Sequence, residues 1–214
     1  MNLARTRVKI CGIRDPAHAR AAVRAGADAV GMVFHAGSPR ALDARAAAAV
    51  AEAIPAFVTG VGLFVNAAEA EVRSILAQVP LGLLQFHGDE TAEFCQRFGI
   101  PWIRAVRVGP GVDLLEWAGR FPRARGLLAD ARVPGEYGGT GTRFDWSLIP
   151  HPMPLPIILS GGLTAANVGE AIRTVRPWAV DVSSGVESAR GVKDVRLIEE
   201  FVRSVRNADA GIGN

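Results

Sequence analysis

Short apolar runs rich in Val, Ile, Leu and Phe alternate with longer, Ala-rich amphipathic segments from one end of the chain to the other. Such alternation predicts repeated βα units around a parallel sheet, because compact apolar runs suit buried strands and Ala-rich segments of helical period suit the covering helices. Eight strand candidates begin near Arg7 (RVKIC), Asp28 (DAVGMVF), Val58 (VTGVGLFV), Leu81 (LGLLQFH), Pro101 (PWIRAV), Arg125 (RGLLAD), Pro156 (PIILSGG) and Trp178 (WAVDVSS). Their spacing, about 24 residues, is near the minimum for a strand, a short helix and two tight loops.

Local signals mark the helix ends. Asp15-Pro16 reads as an N-cap followed by proline at the first helical position and Gly26 as the stop, which predicts a first helix over Pro16 to Ala25. Asp43, Thr164 and Asp194 are placed to cap the second, seventh and eighth helices. The stretch 131–143, ARVPGEYGGTGTR, is Gly-rich and aperiodic, so it reads as a loop long enough to have a function. Residues 207–214 read as a frayed tail after one domain over 1–206. Eight units leave a closed (β/α)8 barrel or an open doubly wound sheet. The unit count and the lack of a Gly-rich dinucleotide turn after the first strand favour the α/β class in its TIM-barrel form.

Composition narrows the partners. With 214 residues, 49% of them hydrophobic, the chain can bury a sizeable core without disulfides or metals. The pI of about 9.4 hints at an anionic partner. The arginines, however, are scattered singly among Asp and Glu and form no basic stripe, which argues against nucleic acid. The longest apolar candidate, Ala53 to Val65, is broken by Pro55, Thr59, Gly60 and Gly62, so no membrane span is expected, and the polar start of the chain predicts a cytoplasmic protein. Cys11 and Cys95 stand apart and outside metal-ligand spacing. Only two lysines occur, Lys9 and Lys193.

Barrel sites lie at the C-terminal ends of the strands. Alternation of side chains sends Val8 and Ile10 toward the helices, and Lys9 and Cys11 inward, with Cys11 at the rim. The same reasoning places Asp130 inward at the end of strand six, across the mouth from Cys11. A thiol and a carboxylate so placed suit proton transfer, provided the site moves their pKa values in opposite directions toward neutrality. The glycine turns Ser160-Gly161-Gly162 and Ser183-Ser184-Gly185 end strands seven and eight, where barrels of this type hold phosphate. They predict a phosphorylated substrate on the N–H groups of Gly162 and Gly185 with the Ser184 hydroxyl. Arg40, on the tight Ser38-Pro39-Arg40 loop, is a candidate for a carboxylate, against an ordinary surface role. Asp181 is expected to pair with the buried Lys9, with contact to substrate hydroxyls as the alternative. Gln85 and His87 also point inward.

These motifs together resemble the phosphoribosylanthranilate isomerase family of tryptophan biosynthesis. The matching stretches are VKICG (8–12), GADAVGMVF (26–34), SPR (38–40), VGLFVN (61–66), QFHGDE (85–90), GGTGTRFDW (138–146), LSGGLTAANV (159–168) and RPWAVDVSSGVE (176–187). The resemblance implies an Amadori rearrangement of N-(5-phosphoribosyl)anthranilate to the carboxyphenylamino-deoxyribulose phosphate. Asp130 would be the general acid that opens the ribose ring, and Cys11 the general base that removes the C2 proton. Arg40 would hold the anthranilate carboxylate, and the turns after strands seven and eight the phosphate. It implies no cofactor or metal, because the substrate's aryl-amine nitrogen is itself the electron sink. Thr142-Arg143 stands where the family often has Lys. The histidine-pathway isomerase resembles a paired-Asp site rather than one with Cys11; a Schiff-base aldolase would need a rim lysine, and Lys9 lies one inward layer below Cys11. A non-catalytic phosphate-binding module would give no reason to oppose Cys11 and Asp130. A monomer and a homodimer both fit the apolar helix faces.

Overall fold

The computed structural model describes residues 5–131 and 144–212. Eight parallel strands close into a barrel in chain order: β1 (Arg7–Cys11), β2 (Ala29–Val33), β3 (Thr59–Phe64), β4 (Leu83–Phe86), β5 (Trp102–Val108), β6 (Leu127–Ala131), β7 (Ile157–Leu159) and β8 (Ala179–Val182). The seam pairs β1 with β8 and sets Lys9 opposite Asp181. Around them lie α1 (Pro16–Ala25), α2 (Ala44–Glu52), α3 (Glu69–Leu76), α4 (Ala92–Cys95), α5 (Leu114–Arg120), α6 (Val168–Val175) and α7 (Val195–Ile212). A hairpin of β9 (Glu187–Ala189) and β10 (Val192–Lys193) stands between β8 and α7.

Strand alternation divides the apolar residues into two bodies. Val8, Ile10, Val30 and Leu84 join the helices in the main core, while Ile103, Ala105, Leu128, Ile158 and Ala179 plug the barrel from inside. The outer body contains an aromatic chain from Phe34 to Phe64, Phe86 and Trp102, with successive ring centroids 5.1, 6.3 and 6.4 Å apart. Each such pair contributes about 0.5–1.5 kcal/mol beyond the area it buries, and here the pairs tie neighbouring strands together. Above the plug, toward the C-terminal strand ends, a smaller apolar cluster of Cys11, Val33, Leu63 and Val65 meets the polar side chains of Gln85, His87, Asp130 and Asp181, which is where the site lies.

The caps follow local chemistry. The Asp15 carboxylate accepts from the His18 N–H, and α1 closes at Gly26 in the left-handed region. Asp43 accepts from the Ala46 N–H, and Asp194 from those of Arg196 and Leu197.

The expected outline needs four corrections. Thr164 does not cap a helix: α6 starts at Val168, and the Asn167 side chain accepts from the Thr164 N–H while donating to the Gly162 carbonyl. An amide can serve two backbone groups of opposite kind at once, and it staples the turn after β7 before the helix begins. The fourth helix is a single α-turn extended by a 3-10 turn over Gln96–Phe98. Between β6 and β7 the described residues contain only the 3-10 turn Trp146–Leu148. The tail expected to fray from 207 is helical to Ile212, held by buried Ala208 and by Asp209, which accepts from the Thr6 N–H and hydroxyl at 2.8 and 2.7 Å. The proposed loop 131–143, apart from Ala131 in β6, lies outside the described residues, as do Thr142 and Arg143. No helix among the described residues is long and apolar enough to cross a membrane.

Candidate active site

At the C-terminal ends of the strands a cavity open to solvent gathers Cys11, Arg40, Asp130, Gly162, Asp181 and Ser184. Gln85 and His87 reach the same space from the fourth strand and its end. Gly185 stands just outside the lining: a Cβ there would lie 1.9 Å from the Leu163 carbonyl oxygen, so the residue lets the turns after β7 and β8 close on each other.

Lys9, pointing inward from β1, donates to Asp181 Oδ1 at 2.8 Å, and Ser160 Oγ donates to Asp181 Oδ2 at 3.3 Å. Both ionic partners are buried. Burial opposes the Lys9 ammonium, yet Asp181 and the Cys11 sulfur outweigh it and hold its pKa above the ordinary lysine value. The expected pairing of Lys9 with Asp181 is thus present, and Asp181 reaches the cavity as well.

Asp130 is in a different position. It ends β6 almost wholly buried, and its Oδ1 accepts from the Ala131 N–H at 2.9 Å. Burial first, and the Asp181 charge second, push its pKa up to about 7. At neutral pH the group therefore exchanges a proton readily. His87 Nε2 stands 3.5 Å from Asp130 Oδ2. Burial, with Arg104, Arg107 and Lys9 adding to it, lowers the His87 pKa to about 3, so the ring is neutral. Neither of its ring nitrogens, nor Gln85 Oε1, has a hydrogen-bond partner among the described residues.

Cys11 departs from the expectation of opposite shifts toward neutrality. Its pKa is raised, not lowered: burial is the largest cause, and the Lys9 and Lys193 charges recover only part of it. The sulfur lies among Val33, Leu63 and Val65, an apolar wall that disfavours a thiolate. Only the carboxyl has moved toward neutrality. Burial likewise pushes the Cys95 thiol, on α4 away from the cavity, up to about 12.

Arg40 is no surface arginine. Its guanidinium is buried and bidentate on Glu187, Nε to Oε1 at 2.7 Å and Nη2 to Oε2 at 2.8 Å. Lys193 Nζ donates to the same Oε1 at 2.7 Å and to the Ser183 carbonyl at 2.9 Å. Burial pushes the Glu187 carboxyl up, but the two cations more than reverse this and hold its pKa at about 2. Sequence reasoning passed over both Glu187 and Lys193. The scarcity of lysine was a usable signal, since the argument that a buried charge needs a partner applies to Lys193 as much as to Lys9.

A second missed pair holds the backbone on either side of His87. Buried Arg104 on β5 donates to Glu90 Oε2 at 2.7 Å and to the Phe86 carbonyl at 3.2 Å, and Glu90 accepts from the N–H groups of Asn66 and Gly88. This knits the ends of β3, β4 and β5 together. Among the described residues no three His, Cys, Asp or Glu side chains gather as metal ligands would.

The chain matches the family described as N-(5'-phosphoribosyl)anthranilate (PRA) isomerase over residues 8–204. It is 56% identical to an N-(5'-phosphoribosyl)anthranilate isomerase of Pseudomonas putida strain F1, over 96% of this chain and 100% of that one. Crystal structures tell the same. The phosphoribosylanthranilate isomerase of Thermotoga maritima superimposes with a TM-score of 0.86 at 40% identity, covering 94% of this chain and 99% of that one. Another, solved in complex with reduced 1-(o-carboxyphenylamino)-1-deoxyribulose 5-phosphate, gives 0.82 at 38% identity with the same coverage. With a closed eight-stranded barrel and matches that run its length, the chain belongs to the phosphoribosylanthranilate isomerase family.

Proposed function

We propose that this enzyme converts N-(5-phosphoribosyl)anthranilate to 1-(2-carboxyphenylamino)-1-deoxyribulose 5-phosphate for tryptophan biosynthesis, with Asp130 as general acid and Cys11 as general base. The observation that carries the assignment is the Asp130 carboxyl, poised near pH 7 in the cavity that also receives Cys11. Asp130 protonates the ribose ring oxygen as the C1–O bond breaks, leaving an iminium between C1 and the aryl nitrogen. Cys11 then takes the C2 proton and the C2–H electrons neutralise the iminium, giving an enolamine that tautomerises to the aminoketone.

The raised pKa of Cys11 bears on the order of these steps. In the resting site the group is a thiol, and a cation formed beside it favours the thiolate, so base strength develops when the iminium appears. Lys9, held protonated by Asp181, is a standing contribution in the same direction. His87, neutral and 3.5 Å from Asp130, has a ring nitrogen to offer either the carboxyl or the substrate.

For binding, Arg40 takes the anthranilate carboxylate. The opening amides of the 3-10 turn Ser184–Val186 have no partner inside that turn, and they take the phosphate together with Gly162. The substrate is thus a small phosphorylated carboxylate, met in the cytoplasm. No cofactor enters the scheme. The test is rescue of a bacterium lacking this isomerase on medium without tryptophan, with a histidine-pathway isomerase mutant in parallel. Growth of the first strain is expected; growth of the second alone contradicts the proposal.

A further inference from the structure

We infer that Glu187 and Lys193, on the hairpin after β8, are positioning residues that fix Arg40 and set the charge with which the site selects a carboxylate on the substrate's aryl group. The inference rests on the reading of Arg40 as the carboxylate ligand.

Three observations carry it. First, Glu187 engages Arg40 through Nε and Nη2 together, which locks a long side chain into one arrangement across 147 residues of sequence. A guanidinium held at one edge is already ordered before a ligand arrives, so little further entropy is lost on binding. Secondly, Lys193 Nζ donates to three oxygens: Glu187 Oε1, the Ser183 carbonyl at 2.9 Å and Ser183 Oγ at 3.3 Å. Burial lowers the Lys193 pKa and Glu187 opposes that shift; acceptors at all three N–H positions favour the ammonium form, so two cations share one carboxylate. An Arg40–Glu187 pair alone would be neutral and would offer an incoming anion little. With Lys193 the three groups Arg40, Glu187 and Lys193 together carry one net positive charge beside the cavity. Thirdly, the hairpin turn is fitted to the Arg40 loop. The Gly191 N–H donates to Glu187 Oε2 at 3.1 Å, and a Cβ on Gly191 would lie 2.7 Å from the Pro39 carbonyl oxygen. Backbone meets backbone there, which no larger residue permits.

Lys193 also joins the two halves of the binding site. Its bonds to Ser183 reach the residue before Ser184, where the proposed phosphate turn begins. The carboxylate side and the phosphate side thus share one buried cation.

The test compares two ligands on four proteins. The ligands are reduced 1-(o-carboxyphenylamino)-1-deoxyribulose 5-phosphate and its counterpart without the carboxyl group, with affinities read by calorimetry. The proteins are the parent, Arg40→Ala, Glu187→Gln, which keeps the shape of the side chain, and Lys193→Met, which fills the same buried space. The parent should prefer the carboxylated ligand by about tenfold or more, as a charge-assisted hydrogen-bonded contact gives. Arg40→Ala should bind both alike. Lys193→Met leaves the cluster neutral, and Glu187→Gln releases the Arg40 guanidinium from its fixed pose, a loss that outweighs the charge the substitution adds; each should reduce the preference to within about threefold while still binding the ligand that lacks the carboxyl group. A purely structural role would weaken both ligands by the same factor and leave the preference intact. That result in Glu187→Gln and Lys193→Met, with the preference lost in Arg40→Ala, overturns the inference alone. A preference retained in Arg40→Ala removes the underlying reading of Arg40 and the inference with it.

Discussion

Three buried carboxylates stand in or beside the cavity, and the surroundings of two of them, Asp130 and Glu187, drive their pKa values apart. Asp130, at the end of β6, has one backbone N–H at 2.9 Å and a neutral histidine beside it, and its pKa rises to about 7. Glu187, at the start of the hairpin after β8, has Arg40, Lys193 and the Gly191 N–H, and its pKa falls to about 2. The desolvation cost is present in both; what differs is the number of cations in contact. One fold thereby makes a carboxyl poised to exchange a proton near neutral pH and a carboxylate held charged among cations, the contrast on which the proposed division of the site into an acid–base side and a binding side rests.

The contrast is open to attack, and catalysis gives the largest effects. Asp130→Asn and Cys11→Ala should each lower kcat by at least about 10²-fold while leaving the fold intact, the size of a lost general acid or base. Near-parent turnover in steady-state assays of either variant would reassign that group.

Stability should then move in opposite directions at the two carboxylates. Asp130 holds its proton to a higher pH in the folded chain than in the unfolded one, so folding loses stability as pH rises from about 4 to 7. Asp130→Asn removes that loss, a relative gain on the order of 4 kcal/mol by pH 8. Glu187 has the reverse sign, with a stabilising contribution that is present above about pH 4.5 and is lost as pH falls toward 2. Glu187→Gln should therefore cost on the order of 3 kcal/mol at pH 7, and the difference should shrink in acid. Urea unfolding at pH 5 and 8 checks the first, and at pH 3.5 and 7 the second. Parallel pH trends for the two variants would sink the comparison.

The smallest effect concerns His87. Burial is the leading cause of the Asp130 shift. His87→Ala opens that side to water and should draw the Asp130 pKa down by about one unit, read as an earlier alkaline fall in kcat/KM. An unmoved limb would mean that the histidine does not shield the carboxyl.

What the sequence disclosed and what it hid divide along a physical line. Strand starts, the Asp15, Asp43 and Asp194 caps and the inward turn of Lys9, Cys11 and Asp130 all follow from local periodicity and capping chemistry. Glu187 and Arg40 are 147 residues apart, and no periodicity links them. Lys9 and Asp181 can be paired from sequence because strands one and eight must meet in a closed barrel. Lys193 sits on a hairpin outside that frame, so the same reasoning did not reach it. The direction of the Cys11 shift depended on Val33, Leu63 and Val65, contributed by β2, β3 and the chain just after β3. Thr164 and the tail failed for another reason: in each case a partner, Asn167 or Thr6, had a better use for the backbone or the carboxylate than the local pattern allowed.

The central claim is that Asp130, buried and, among the described residues, in contact with no cation, is the acid that opens the ribose ring. The most direct test is the pH dependence of kcat/KM for N-(5-phosphoribosyl)anthranilate in the parent and in Asp130→Asn. The parent should lose activity above about pH 7 with a single proton released, and the variant should be slower by about 10²-fold or more with that fall abolished. A variant that keeps the parent's rate and the same alkaline fall would contradict the account.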